Sequence, residues 1–219
     1  MVFAAYPPLE VVVWGDLACF TRPEMKVERV SYPVMTPSAA RGVLEAIFWR
    51  PAIRWRVEQI AVLSPIRYFS ILRNEVNSRA SERTAAGWAR NGGGFVASAD
   101  RAQRHTLALR DVAYLIRAQI ELLPGTTDDL AKFRDQFRRR VRGGRCFTRP
   151  YLGCREFAAE FREPDGSELP VERSEDLGLM LLDLDYAPDH SGRGTPIFFN
   201  ARLENGVLLV PALNPTTGG

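Results

Sequence analysis

Residues 112–122 constrain the fold more than any other part of the chain, because apolar side chains recur there at every second position. The apolar positions of this stretch are Val112, Tyr114, Ile116, Ala118, Ile120 and Leu122. A period of two is typical of a β-strand with one buried face. The sequence therefore predicts a long strand, with a hydrophobic core on the side of these residues.

Arg104 and His105 lie just before this alternation, at the end of a long polar stretch. The chain has only two histidines, and an imidazole at this junction is a candidate for catalysis. A strand can hold an imidazole and a guanidinium rigidly at the edge of a loop. A histidine near a strand end is also commonly an ordinary surface residue, and spacing alone leaves both interpretations open.

Apolar patterns in the rest of the chain predict an alternation of strands and helices. Thr36 followed by Pro37 indicates a helix start, because threonine caps helices and proline suits the first helical position. Thr126, with Asp129 three residues later, indicates the start of a second helix, and Gly143 indicates its end. The predicted helices are 36–50 and 126–142, and the predicted strands are 9–20, 55–72 with a break near residue 64, the strand that ends near residue 123, and 154–162.

Positive charge is concentrated in one segment, residues 132–155. It has nine basic residues and one acidic residue, whereas residues 156–219 have four basic and 12 acidic residues. Such a concentration is typical of a polyanion site, and the interleaved aromatic residues suit nucleic-acid bases. The alternative is a solvated helix face. The arginines that we predict to bind RNA are Arg138, Arg139, Arg140, Arg142, Arg145 and Arg149.

The order strand, helix, strand, long loop, strand, helix, strand is the βαββαβ order of an α+β, ferredoxin-like fold. RNA-recognition modules bind RNA on the sheet of such a fold. We therefore predict a ferredoxin-like RNA-binding and catalytic domain at residues 1–163, with a flexible loop at 77–103. Residues 164–219 predict a small antiparallel β-sheet region, because Asn205–Gly206 is a strong hairpin signal.

The composition argues against several classes of protein. No apolar run approaches the roughly 20 residues of a membrane span, and the first residues lack the features of a signal peptide. The three cysteines have no metal-site spacing, which indicates a reducing compartment. We therefore expect a cytoplasmic protein without a membrane contact. Asp183 and Asp185 alternate on an acidic strand and are expected to face solvent, so we predict neither a metal nor another cofactor.

Four segments carry a resemblance to a known family: VWGDLACFTRP (13–23), SYPVMTPSAARGVLEAIFWRP (31–51), QRHTLALRDV (103–112) and RPYLGCREF (149–157). They are similar to the CRISPR-associated repeat-RNA endoribonucleases of type I-C (Dvulg-subtype) systems, the d subtype of the fifth Cas family. The resemblance extends from about residue 9 to the C-terminus. It implies the ferredoxin-like fold of the repeat-associated mysterious proteins, with a β-rich C-terminal part.

The resemblance also implies an active site with an aromatic residue on the first helix and a basic–histidine pair. The pair corresponds to Arg104 and His105, and the aromatic residue to Phe48, where tyrosine is expected. Metal-free RNA cleavage needs a base for the 2′-hydroxyl proton and positive charge on the phosphorane, roles that suit His105 and Arg104 respectively. Phe48 can stack on a base but has no hydroxyl to donate, and arginine is a poor general acid.

The function implied by the resemblance is metal-independent cleavage of precursor CRISPR RNA within the repeat. The expected partners are the repeat hairpin and the other subunits of the type I-C interference complex, in which the protein stays bound to its product. The alternative is a non-catalytic subunit that binds the 5′-handle of CRISPR RNA in that complex. His105 favours the enzyme, and the phenylalanine at position 48 slightly favours the alternative.

Overall fold

Among the residues that the structure describes, nine strands form one mainly antiparallel sheet, accompanied by few helices, a mixed α/β architecture. The computed structural model describes residues 6–25, 27–78, 81–186 and 194–212. The strands are β1 (Leu9–Ala18), β2 (Arg29–Val30), β3 (Ile53–Val62), β4 (Tyr68–Val76), β5 (Arg101–Leu122), β6 (Glu160–Arg162), β7 (Glu175–Tyr186), β8 (Gly194–Glu204) and β9 (Val207–Leu209). The α-helices are α1 (Pro37–Ile47), α2 (Glu82–Asn91) and α3 (Leu130–Arg142), and a 3-10 helix covers Ala97–Asp100.

The 22-residue strand β5 has two neighbours on each side. β4 and then β3 pair with it along one side, whereas β2 and then β1 pair with it along the other. Only β2 runs parallel to it. The main order of the sheet is β6-β1-β5-β3-β9-β8-β7, so the C-terminal strands continue the sheet through the β3–β9 pairing.

The alternation predicted for residues 112–122 is confirmed, and the strand begins earlier than predicted, at Arg101. The apolar residues of this alternation are buried up to Ile120, whereas Leu122 is exposed at the end of the strand. Asp111, with a φ of 52°, lies between the part of β5 that pairs with β4 and the part that pairs with β3. Aspartate tolerates this left-handed conformation better than most residues, so it suits the irregularity.

Helix α1 begins as predicted and packs against β3 and β7. The Thr36 hydroxyl oxygen accepts from the backbone N–H of Ala39 at 3.3 Å. Arg41 Nη2 lies 2.6 Å from Asp183 Oδ1, which ties the helix to β7. The expectation that Asp183 faces solvent is therefore wrong: its side chain is 16% exposed, because it is the counter-ion of a helix residue that is distant in sequence.

Helix α3 begins four residues later than predicted. Asp129 is its N-cap and accepts from the backbone N–H of Ala131 at 3.0 Å, whereas the Thr126 hydroxyl donates to the Ala52 carbonyl instead. Phe133, Phe137 and Val141 lie three and four residues apart on one side of the helix, and all three are buried. Arg134 is also buried; its Nη1 donates to Gln119 Oε1 and its Nη2 to the Pro7 carbonyl, whereas its buried Nε has no hydrogen-bond partner among the described residues.

Residues 77–103, predicted as a loop, contain α2 and the 3-10 helix, so that prediction is corrected. The Ser81 hydroxyl caps α2 through the backbone N–H of Thr84 at 3.1 Å, and no residue of the helix is buried. A helix that depends on local capping has no core-facing stripe to reveal it in the sequence. The predicted strand 154–162 is shorter, because only Glu160–Arg162 pairs with β1.

Residues 164–212 form β7, β8 and β9, with the predicted turn Asn205–Gly206 between β8 and β9. Met180, Leu203 and Leu208 belong to the same core cluster as the buried face of β5. The division at residue 163 stays a prediction. Within the described ranges, no helix combines the length and the hydropathy that crossing a membrane requires.

Gly153 is expected to be essential for the fold, because the turn of residues 151–157 packs directly on Cys19. Gly153 has a φ of +83°, and a Cβ there would lie 2.1 Å from the Cys19 carbonyl oxygen. Gly153→Ala should therefore lower the free energy of unfolding by at least about 3 kcal/mol. Gly87→Ala, in α2 with nothing within 4 Å of the added Cβ, should stabilise the protein by about 0.5–1 kcal/mol. Urea denaturation measures the free energy of unfolding of both variants. Equal values for Gly153→Ala and Gly87→Ala would contradict the prediction.

Candidate nucleic-acid interface

Arg104 and His105 lie on opposite faces of β5, because consecutive side chains of a strand alternate between its two faces. Arg73 of β4 lies directly across from Arg104, and Leu72 lies directly across from His105. Arg104 is half-buried, whereas His105 is exposed. The structure thus brings the predicted pair to one place in the sheet but not to one surface.

Glu28 connects the two members of the pair. One of its carboxylate oxygens accepts the backbone N–H of His105, and the other lies 3.9 Å from Arg104 Nη1. Arg104 Nη2 also donates to Asn77 Oδ1 at 3.3 Å. The guanidinium is therefore held between Glu28 and Asn77, with a long ion pair that an RNA phosphate could replace.

On the face of Arg104, two further arginines contact two carboxylates. Arg29 lies 3.6 Å from Glu75 and 3.7 Å from Glu156, and Arg73 pairs with the same two residues. Burial opposes ionisation of Glu156, but its own backbone N–H and the guanidinium groups of Arg73 and Arg29 outweigh burial and lower its pKa. These charges are mutually compensated, which leaves Arg104 as the least tightly paired cation on this face.

On the face of His105, the neighbouring side chains are mainly apolar and exposed. Leu72 and Leu107 share this face with the imidazole, as does Tyr68 farther along β4. The imidazole is thus open to a ligand that approaches from solvent. None of these neighbours is a carboxylate that would orient the ring.

Phe48 is fully buried at the end of α1, away from Arg104 and His105. Its ring packs against Phe133 at a centroid distance of 6.4 Å, and its carbonyl accepts from Trp55 Nε1 at 2.9 Å. Trp55 pairs with Ile120, fifteen residues along β5 from His105, which is about 50 Å in a straight strand. The structure therefore corrects the expectation that Phe48 belongs to the site of the pair: its ring fills the core under α1 and α3.

The six arginines predicted to bind RNA do not form one surface. Arg138 and Arg142 lie one turn apart on α3 and line a cavity of about 660 Å³ that also contains Glu163 and Glu168. Arg142 pairs with Glu163 at 3.2 Å, and Arg138 with Asp135 at 3.5 Å. These two arginines are therefore partly neutralised within the protein.

The other four arginines differ in their environments. Arg140 donates to the Ile47 carbonyl at 3.2 Å and so caps the C-terminal end of α1. Arg149 pairs with Glu160 at 2.7 Å, both side chains being largely exposed. Arg139 and Arg145 are exposed and have no carboxylate partner within the described residues. Of the six predicted arginines, Arg139 and Arg145 are therefore the two whose charge is least compensated within the described residues.

A second basic surface lies between α1 and the segment that follows α3; the sequence indicated its arginines and the aromatic residues between them, but not the contribution of Trp49 from the end of α1. It is a groove of about 620 Å³. The lining residues are Gly42, Glu45, Ala46, Trp49, Phe147, Thr148, Arg149, Tyr151 and Arg155. Trp49 directly follows Phe48 in the segment that resembles the family, but only the structure shows that Phe48 is buried and Trp49 exposed. We call this surface the aromatic groove.

No group of three or more histidine, cysteine, aspartate or glutamate side chains in the described ranges has the arrangement of a metal site. The carboxylates near Arg104 are each engaged by arginine, as described above. The chemical groups available at this part of the sheet are thus an exposed imidazole and several guanidinium groups.

Comparison with known proteins gives a consistent result. The family model Cas_Cas5d, described as CRISPR-associated protein (Cas_Cas5), matches residues 9–211. A protein of Thermus thermophilus named CRISPR pre-crRNA endoribonuclease Cas5d is 47% identical, with 93% of this chain and 91% of the relative covered. A protein of Mannheimia succiniciproducens with the same name is 46% identical, with 91% and 92% covered. A crystal structure described as a CRISPR-associated protein has the same fold, with a TM-score of 0.67, 21% identity and 95% of each chain covered.

The burial of Phe48 predicts that its substitution changes stability and not the chemistry of a site. Phe48→Ala should lower the free energy of unfolding by about 3–5 kcal/mol, because it leaves a cavity next to Phe133. Trp49→Ala, one residue later and exposed, should change it by less than about 1 kcal/mol. Thermal unfolding of both variants measures the difference. A Phe48→Ala protein as stable as the parent would contradict the placement of this ring.

Proposed function

The chain belongs to the Cas5d family of CRISPR-associated proteins, and from this membership we propose that it is an endoribonuclease that cleaves precursor CRISPR RNA within the repeat. The observation that carries the proposal is the 46% and 47% identity, over 91% and 93% of the chain, to two proteins named CRISPR pre-crRNA endoribonuclease Cas5d. After cleavage it stays bound to its product as a subunit of the type I-C interference complex. It works in the cytoplasm, where its RNA substrate is made.

The proposed fold of the N-terminal part is ferredoxin-like. Its support is the chain order β1-α1-β3-β5-α3-β6 together with the sheet order β6-β1-β5-β3. All three pairs within this set are antiparallel, as a split βαβ arrangement requires. In the proposed second region, residues 164–219, the described strands β9, β8 and β7 extend this sheet beyond β3.

In the proposed mechanism, the exposed imidazole of His105 removes the proton from the substrate's 2′-hydroxyl. The resulting oxygen attacks the adjacent phosphate, and the Arg104 guanidinium stabilises the charge that develops there. The 5′-oxygen leaves with a proton from an acid other than Arg104, since a guanidinium keeps its proton. The nucleophile belongs to the RNA, so the proposed reaction uses neither a metal nor another cofactor.

The opposite orientations of Arg104 and His105 determine how RNA must approach. β2 reaches β5 only at Thr106 and Leu107, so residues 101–105 have no neighbouring strand on this side within the described ranges. An RNA backbone that crosses this open edge can meet the imidazole from one face and the guanidinium from the other. Glu28, which already contacts both residues, marks the position of the edge.

A second candidate function is a non-catalytic subunit that binds the 5′-handle of CRISPR RNA in the same complex. Two observations favour it: Phe48 has no hydroxyl and is buried, and Arg104 and His105 do not share a face. Both functions require RNA binding, and only the first requires His105.

His105→Ala should abolish cleavage of a labelled repeat hairpin and leave its affinity within a few-fold. One imidazole contributes little to an interface dominated by phosphate contacts. The parent protein should cleave in EDTA and leave a 2′,3′-cyclic phosphate. A single 2′-deoxy nucleotide on the 5′ side of the cut should stop the reaction.

Gln103→Ala is the matched control, because Gln103 is exposed on the same face of β5 and two residues away. The Gln103→Ala protein should cleave the repeat hairpin at the rate of the parent protein. Full activity of His105→Ala would favour the non-catalytic function, and cleavage of the deoxy substrate would exclude the 2′-hydroxyl mechanism.

The ion pairs of Arg138 and Arg142 predict an unequal effect of neutralising the arginines in and just after α3. Joint substitution of Arg139 and Arg145 by glutamine should weaken hairpin binding and reduce the slope of log affinity against log salt by about 1.5. Joint substitution of Arg138 and Arg142 by glutamine should reduce the affinity and the slope by less, because carboxylates already pair with these two arginines. Affinity measured between low and moderate salt tests this. Equal slopes for both variants and the parent would show that the helix face is only solvated.

A further inference from the structure

We propose that the aromatic groove binds an unpaired nucleotide of the RNA, with its base stacked on Phe147 and Trp49 and its phosphates beside Arg149 and Arg155. The inference rests on the proposed function in one respect: it takes RNA to be the ligand. It adds a recognition site that is separate from Arg104 and His105, and it assigns that site to single-stranded RNA next to the repeat hairpin.

The first argument is the exposure of two large neighbouring rings. The Trp49 side chain is 45% exposed and that of Phe147 is 61% exposed. Their centroids lie 6.3 Å apart with an angle of 33° between the planes, so they form one extended apolar surface. Nucleic-acid bases stack on such surfaces, and the interaction tolerates any base because each has a flat face.

The second argument is the rigid attachment of both rings. The backbone N–H groups of Phe147 and Thr148 donate to the Ala46 carbonyl at 2.8 and 3.0 Å. Arg50 Nη1 donates to the Trp49 carbonyl at 3.0 Å. The backbone that carries Phe147 is therefore fixed to the C-terminal end of α1 and its ring contacts Trp49, so a base that stacks there needs no ordering of this backbone.

The third argument is charge. Arg155 is exposed and has no carboxylate partner within the described ranges, and the Arg149–Glu160 pair is highly exposed and therefore weak. The one carboxylate among the lining residues, Glu45, lies 3.2 Å from Arg41, which also pairs with Asp183 at 2.6 Å. The lining thus has two arginines against one carboxylate, and this excess of positive charge fits a phosphate backbone better than an apolar protein segment.

The fourth argument is the route from the groove to β5. Tyr151 and Arg155 line the groove, and Glu156 contacts Arg29 and Arg73 on the face of Arg104. One short segment of chain thus borders both places. An RNA strand that follows this segment leads from the stacked nucleotide towards the proposed cleavage site.

The test combines single abasic nucleotides in the RNA with substitutions in the full-length protein. The RNA is the repeat hairpin with its unpaired flanks, and each unpaired position is made abasic in turn. With the parent protein, one position should weaken binding by about 5- to 100-fold, the size of a lost base–aromatic stack. Phe147→Ala should weaken binding of the intact RNA by a similar factor, and the same abasic position should then have no further effect.

Two variants serve as controls. Phe95 stacks on Trp88 at 6.4 Å and is 41% exposed, so Phe95→Ala removes a comparable exposed ring outside the groove and should leave the abasic profile of the parent. Phe147→Leu keeps an apolar side chain without a ring and should behave as Phe147→Ala. Both Phe147 variants should melt at the temperature of the parent, because Phe147 is 61% exposed. Phe95→Ala should melt close to it, because Trp88, against which Phe95 packs, belongs to a helix without buried residues.

The outcomes separate this inference from the proposed function. If the parent cleaves the repeat but every abasic effect is the same in Phe147→Ala, the stacking site does not exist. If Phe147→Ala binds RNA as the parent does but no longer assembles into the interference complex, the groove binds a protein and the inference is wrong. A parent protein that binds no repeat RNA at all would overturn both the inference and the proposed function.

Discussion

The hydrogen bonding of β5 along both of its edges is the constraint on which the rest of the structure depends. Buried backbone N–H and C=O groups need partners, and a strand in the middle of a sheet finds them only in neighbouring strands. β5 therefore requires β3 and β1 along its C-terminal half, and these strands place α1 and α3. Its N-terminal half pairs with β4 and briefly with β2, and it leaves one face in solvent.

The same geometry controls the chemistry of the candidate site. A strand cannot present adjacent side chains on one face, so Arg104 and His105 can contact the same ligand only where that ligand crosses the edge of the sheet. Glu28 reaches that edge from the chain before β2 and contacts both residues. On the face of Arg104, Arg29 and Arg73 pair with Glu75 and Glu156, whereas the His105 imidazole on the other face is exposed.

Helical geometry distributes the basic segment in a comparable way. With 3.6 residues per turn, Arg138 and Arg142 share a face that meets carboxylates, whereas Arg140 turns inward to the end of α1. Arg134 is taken into the protein altogether. The exposed arginines of this basic segment without a carboxylate partner among the described residues consequently lie at the end of α3 and in the segment that follows, which also contains the exposed Phe147 ring of the groove.

The sequence by itself determined the elements whose burial leaves a periodic pattern: the alternation in β5, the stripes of α1 and α3, and the turn at Asn205–Gly206. It also indicated the family, through motifs that include Arg104 and His105. Only the tertiary structure decided that α2 exists without a buried face, that Asp183 pairs with Arg41, and that Phe48 is buried while Trp49 is exposed. The physical reason is that pairing and exposure depend on residues distant in the chain, such as Thr106 beside Arg29, and no local pattern encodes them.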